Sequence, residues 1–160
     1  MAPDTLSAPV TCRRSGATPG RHSPSAAAAT ARARLWAEVI AEAGAAVAEV
    51  PLETFTPDGE TAPGQTVLVH RALRVDPPAG VDGTAPLWLV ESLTPAGLEA
   101  LPLLHLFAGR VEDLRARFPF CGCDACDDGS DRLLDELDDA ITRVIADTES
   151  TAHRPWFEGR

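Results

Sequence analysis

The chain has 160 residues and a mass of 16.9 kDa, enough for one domain with its own core and too short to suggest two. Apolar residues make up 44% and charged residues 24%, as in soluble globular proteins, and no apolar run approaches the ~18 residues of a membrane-spanning helix. The net charge of -10 gives an acidic body that repels phosphate backbones and anionic lipids. Composition therefore disfavours nucleic acid and membranes as partners and leaves a protein partner open.

The choice of residue types carries a signal about the genome rather than about function. All basic residues are Arg; Lys, Asn and Tyr are absent, while Ala occurs 27 times. The absent residues have A/T-rich codons, so the bias predicts a high-GC source such as an actinobacterium. We therefore draw no functional conclusion from the use of Arg.

The N-terminal residues predict a leader rather than part of the domain. Residues 1–29 are rich in Pro, Gly, Ser and Ala and show no periodic apolar pattern, so we expect disorder there. The pair Arg13-Arg14 resembles a twin-arginine export signal, but no apolar stretch follows it, which favours a cytoplasmic protein. The predicted organisation is a leader, one domain over 30–150, and a tail over 151–160.

A first helix is predicted from the N-cap Thr30 to Val50, with Pro51 ending it. Apolar residues recur there at helical spacing and form one stripe. The members of the stripe are Leu35, Trp36, Val39, Ile40, Ala43, Val47 and Val50.

Four segments after a loop over 53–65 are predicted as strands, namely 66–75, 87–92, 101–107 and, more ambiguously, 110–118. In the first strand, Val67, Val69, Leu73 and Val75 are expected to share one face, with Arg71 as the exception. The second is apolar on both faces, as an inner strand is. In the third, Pro102 marks the start of the strand or an edge.

A second helix follows residue 130, with one apolar face and acids off that face. The apolar face consists of Leu133, Leu134, Leu137, Ala140, Ile141, Val144 and Ile145. The elements together predict an α+β fold: a two-layer sandwich with an N-terminal helix, a three- to four-stranded mostly antiparallel sheet, a Cys-rich loop and a C-terminal helix.

The candidate chemistry lies in Cys121, Cys123 and Cys126, which fall within six residues. A two-residue gap lets a tight turn aim two thiolates at one Zn²⁺, and Gly122 gives the first Cys the freedom to join them. We therefore predict a zinc site that is one ligand short. The fourth ligand stays open among His105, His153, Asp124, Asp127 and Cys12.

Two other roles for these thiols remain open. A redox or nucleophilic thiol is compatible with Cys126 just before a helix, although the neighbouring acids disfavour a thiolate. In the third alternative the thiols only pack, and the acidic helix face and the aromatic tail bind a protein partner. We identify no catalytic residue and find no phosphate-binding or nucleophile-elbow motif, so the sequence favours a non-enzymatic role.

The segment around the cysteines carries a resemblance. Residues 118–128 read F-P-F-C-G-C-D-A-C-D-D and resemble the signature of a family of short actinobacterial proteins, the domain of unknown function 6226. The order of the elements is similar to that family as well. Because the family has no established activity, the resemblance supports the boundaries and the importance of the loop and implies no function.

The other histidines have ordinary explanations. His70 lies on the strand face opposite Val67 and Val69, so we expect it to be exposed to solvent. His105 lies within an apolar strand, where a hydrogen-bonded, partly buried imidazole is expected and a ligand role is the less common alternative.

Overall fold

Two helices pack on one face of an antiparallel sheet in the computed structural model, which describes residues 24–56, 67–81, 85–96, 99–119 and 130–146. The α+β class is therefore confirmed, although the sheet has six strands rather than three or four. The elements are α1 (Pro24–Glu42), β1 (Ala46–Glu49), β2 (Thr54–Phe55), β3 (Val67–Asp76), β4 (Leu87–Ala96), β5 (Glu99–Ala108), β6 (Leu114–Phe118) and α2 (Ser130–Ala146).

Strands β3 to β6 form an antiparallel meander, and β1 and β2 both pair with the outer side of β3. The four predicted strands are confirmed, and β4 and β5 are the inner strands of the meander. At Pro102 the strand pairs with β4, while the pairs between β5 and β6 begin only at Leu104. Pro102 therefore lies where its missing N–H costs no ladder bond to β6.

The prediction that the first helix continues to Val50 is wrong. Gly44 has a φ of +104°, and its N–H donates to the carbonyl of Ala41 while the N–H of Ala45 donates to that of Ile40. This pair of bonds is a Schellman cap, which satisfies the last carbonyls of a helix and turns the chain away. The residues beyond it form β1 on the edge of the sheet.

The predicted start of the first helix is also wrong, and the predicted buried face is right only at Ile40 and, in part, at Trp36. The helix starts at Pro24, within the predicted leader, and it buries a face of small residues. Leu35 and Val39 are more than half exposed, because they lie on the far side of the helix. The residues that face inward are Ala26, Ala29, Ala33, Ala37 and Ile40. Alanine forms helices more readily than the branched residues on which the prediction relied.

A β-bulge in β3 makes the predicted common face of this strand wrong. The register with β4 shifts between Val69 and Arg71, which places an extra residue in β3. Val67 and Val69 therefore pack in the cluster on the face away from the helices, whereas Leu73 and Val75 pack under the helices. The bulge lies directly before Arg71, the residue that broke the predicted apolar pattern.

The apolar face of the second helix is confirmed. Leu137 and Ile141 are completely buried and Ile145 is nearly so, in one cluster with residues of α1 and of the sheet. Neither described helix combines the length and hydropathy that a bilayer-spanning segment needs.

Asp138 of α2 joins the two helices. Its carboxylate accepts hydrogen bonds from Arg32 Nε and Nη2 at 2.9 and 2.6 Å and from Trp36 Nε1 at 2.6 Å. Hydrogen bonding from Arg32, and then from Trp36, holds the pKa of Asp138 below its ordinary value. This carboxylate therefore stabilises the helix pair above its unfolded pKa, and the contribution is lost as the pH falls through the lowered value.

We expect Asp138→Asn to lower the free energy of unfolding by about 1 kcal/mol at pH 7. The neutral amide oxygen accepts more weakly from Trp36 and Arg32 than the carboxylate does. The variant should also lose less stability than the wild type below pH 4. Urea unfolding between pH 2 and 7 measures both effects. Asp139→Asn, an exposed carboxylate on the same helix, is the control. Identical behaviour of the two variants would contradict the assignment.

Candidate functional site

The predicted metal ligands Cys121, Cys123 and Cys126 lie outside the described residues, and so does Cys12. What the structure describes is the two ends of their loop. The chain leaves β6 after Phe118, which is buried in the helix-side core, and enters α2 at Ser130. The loop therefore connects the edge of the sheet to the second helix.

Within the described ranges, no group of three or more His, Cys, Asp or Glu side chains is placed to hold a metal ion. Of the candidates for the fourth ligand, His105 is described, whereas Asp124, Asp127, His153 and Cys12 are not. The second described histidine, His70, is exposed on β3, as predicted.

His105 is the centre of a buried polar pair on the face of the sheet away from the helices. Its side chain is 2% exposed, and its Nε2 lies 2.8 Å from the hydroxyl oxygen of Ser92, which is 1% exposed. His105 pairs with Val90 on β4, and antiparallel partners project on the same side of a sheet. Ser92 lies two positions from Val90 and therefore projects from the same face as His105. The Nδ1 atom of His105 has no hydrogen-bond partner.

Aromatic rings enclose the imidazole. The ring of Phe55 meets it edge-on at 4.9 Å between centroids, and the ring of Phe107 lies nearly parallel to it at 6.1 Å. In a flat sheet β2 and β5 would be roughly 14 Å apart, since two strands separate them. The short distance from Phe55 therefore shows that the sheet curls around this face, and β2 folds over His105.

The electrostatics keep the imidazole neutral. Burial, and secondly the positive charge of Arg117, lower the pKa of His105 from 6.5 to about 4. Arg117 is the register partner of His105 on β6, so the two side chains project from the same face. At neutral pH the site therefore holds an uncharged ring beside a guanidinium.

The neighbouring Trp88 on this face has a hydrogen-bond partner and a cationic neighbour. Its Nε1 donates to the carbonyl of Gly109 at 3.1 Å, and the guanidinium of Arg74 lies 5.6 Å from its ring centroid. Arg74 also pairs with Asp76 at 2.7 Å.

Sequence reasoning expected His105 to be hydrogen-bonded and partly buried; it is hydrogen-bonded and more deeply buried than expected. The sequence did not identify Ser92 as the partner, because that pairing depends on the register between β4 and β5. It also placed Phe55 in a loop, although a lone aromatic residue there was a usable signal of packing.

One of the three comparisons with known proteins identifies a family, and the other two find no match. A family model described as a family of unknown function (DUF6226) matches residues 22–158. No curated protein and no solved structure matches the chain. The match includes the first turns of α1, the cysteine loop and most of the C-terminal tail. The chain therefore belongs to this family of unknown function, as the sequence around the cysteines indicated.

Proposed function

We propose that Cys121, Cys123 and Cys126 bind a zinc ion, and that the chain is a small zinc-stabilised interaction domain rather than an enzyme. The observation that carries the proposal is the place of the cysteine loop in the fold. The loop joins the edge strand β6 to α2, and both flanking elements contribute buried residues to one core. The core holds β6 and α2 together, and a metal bound by the loop would in addition fix the connection between them.

The charges of the loop support a cation over a free thiolate. Asp124, Asp127 and Asp128 lie among the cysteines in the sequence. Nearby carboxylates disfavour a second negative charge, so they would raise the pKa of an unliganded thiol. A bound dication reverses this effect, because its charge stabilises both the thiolates and the acids. The reducing cytoplasm that we propose as the location also keeps such thiols available for metal.

An interaction surface is the second part of the proposal. The outward side of α2 presents exposed acids, among them Asp131, Asp135, Glu136 and Asp139. This side is separate from the buried face of Leu137 and Ile141. It supports a role in binding a protein partner, whether or not the loop holds a metal.

Zinc content of the full-length protein tests the proposal. We expect about one zinc per chain by elemental analysis after purification without a metal-binding tag or chelator, and zinc loss in the triple variant C121S/C123S/C126S. Removing the metal should lower the melting temperature, because binding to the folded state stabilises it. His70→Ala, which changes an exposed histidine that is not among the candidate ligands, is the control and should keep both the zinc and the melting temperature.

The alternatives give different results in the same experiments. A wild-type chain that takes up no zinc, even when titrated with it under reducing conditions, would refute the metal site. Rapid modification of one thiol at pH 7 would then favour redox chemistry. Slow, uniform labelling with unchanged stability of the triple variant would favour a metal-free interaction module.

A further inference from the structure

We infer that the outer face of α1 is a docking surface for a basic amphipathic helix of a partner protein. The inference rests on the interaction role proposed above and not on the zinc site. Its starting point is an apolar ridge, whose members follow one another at four-residue intervals and are all exposed: Ala31, Leu35, Val39 and Ala43. Leu35 and Val39, the two large members, are more than half exposed.

The position of the ridge follows from the contacts of its neighbours. Successive residues of a helix lie about 100° apart, so Leu35 projects nearly opposite the buried Ala33. Arg32 and Trp36, which each lie three residues before a member of the ridge, donate to Asp138 of α2. The ridge therefore runs along the open side of the helix pair and borders α2 on one flank.

The shape of the ridge suits a helix. Rows of side chains at four-residue spacing are the ridges that helices pack into each other's grooves. The row from Ala31 to Ala43 is about 18 Å long, since the N–H of Ala43 still donates to the carbonyl of Val39 as in a helix. Two large apolar residues one turn apart match the apolar face that an amphipathic helix offers. The ridge can therefore take a partner helix of similar length.

The ridge has acidic side chains on both flanks. On the flank away from α2, Glu38 and Glu42 are exposed, and neither forms an ion pair with a described residue. On the α2 flank, the hydrogen bond and charge of Asp138, and then the charge of Asp135, raise the pKa of Arg32. Because Asp138 already pairs with Arg32 at 2.6 Å, Asp135 adds a further negative charge beside the ridge. A partner with Lys or Arg beside its apolar residues is therefore complementary to this surface.

The same charges favour a different protein over a second copy of this chain. Two copies that met through the ridge would bring their acidic flanks together, and each chain carries a net charge of -10. Like charges across an interface are destabilising. A basic helix would instead cover Leu35 and Val39 while it pairs with the acids beside them.

Binding of a defined peptide is the first test. The probe is a dye-labelled synthetic helix of about five turns, with Leu along one face and Lys elsewhere, titrated with the full-length protein in a fluorescence anisotropy assay. We expect it to bind about tenfold or more tightly than an acidic twin in which Glu replaces every Lys. Equal binding of the two peptides, or no binding of the basic one, would overturn the inference.

Paired variants locate the binding surface. L35A/V39A should weaken binding of the basic peptide about tenfold or more, because both apolar anchors are lost. Leu68→Ala makes the same kind of change on β3, at a leucine that is more exposed still, and should leave the affinity unchanged. Equal effects of Leu68→Ala and L35A/V39A would mean that the peptide does not bind at the ridge and would refute the inference.

The acidic flank is tested in the same assay. E38Q/E42Q should weaken binding of the basic peptide several-fold, because the variant loses the charges that pair with Lys. Glu112→Gln, which changes an exposed acid outside the helices, is the control and should have no effect. Equal affinities of E38Q/E42Q and the wild type would contradict the assigned charge of the partner.

Photo-cross-linking in cells separates this inference from the proposed function. A photoreactive amino acid replaces Leu35 in one full-length chain and, in others, Glu136, which projects nearly opposite Asp138 on α2, or the exposed control His70. We expect position 35 to attach to a basic amphipathic helix of another protein, identified by mass spectrometry. Attachment there to a second copy, to residues 147–160 of the same chain, or to a segment without basic residues would overturn the inference.

The remaining outcomes distinguish the two proposals. If position 136 alone attaches to another protein, the interaction role stands and the ridge is not its surface. If neither position attaches to another protein more than position 70 does, the interaction role and this inference both fail.

Discussion

Lowering the pH from 7 to 4 is expected to destabilise the zinc-free protein by up to about 3 kcal/mol through His105 alone. Burial and the charge of Arg117 lower the pKa of the folded imidazole from 6.5 to about 4. The unfolded chain therefore takes up a proton near pH 6.5, whereas the folded chain does so only near pH 4. The loss of stability accumulates between these two values and is absent above the higher one.

The measurement is urea unfolding of chelator-treated, reduced protein at intervals from pH 7.5 to 4. His105→Leu should remove most of the dependence in this window, and His70→Ala should retain it. NMR titration of the His105 ring gives the folded pKa directly. A pKa near 6.5 in the folded protein would contradict the burial that the structure shows.

Leu137→Ala is expected to lower the free energy of unfolding by about 2–5 kcal/mol. Leu137 is completely buried where α2 packs against α1 and the sheet. Shortening the side chain removes its transfer free energy and leaves a cavity that the rigid strands below can only partly close. Denaturant unfolding at pH 7 measures the difference.

Leu35→Ala is the matched control, because it makes the same chemical change on a helix at a site that is 53% exposed. Its effect should stay within about 0.5 kcal/mol. The pair tests the orientation of α1, since the sequence pattern placed Leu35 in the core. A large loss of stability for Leu35→Ala would show that the helix is rotated from the orientation described above.

Much of the fold was predictable, and each error has a local physical cause. The periodicity of α2 and the apolar runs of β3 to β6 identified those elements correctly. Helix periodicity could not distinguish the continuation of α1 from an edge strand after the cap at Gly44, because Val47 and Val50 fit the helical spacing and yet are partly buried in the strand and just after it. The bulge next to Arg71 reversed one strand face, and a bulge leaves no reliable mark in a single sequence.

The candidate site also has a part that the sequence could predict and a part that it could not. Spacing of close cysteines is a local property, so the sequence alone supports the zinc prediction, which the described residues do not test. The pair of His105 and Ser92 is non-local and depends on the register between β4 and β5. Its chemistry becomes visible only when the strands are aligned, because neither residue belongs to a motif.

The alanine face of α1 limits which mutations the domain can accept. Ala26, Ala29, Ala33 and Ala37 are all at most 5% exposed, so a larger side chain at any of them would have to displace the helix. The exposed Leu35 and Val39 of the same helix carry no such packing constraint.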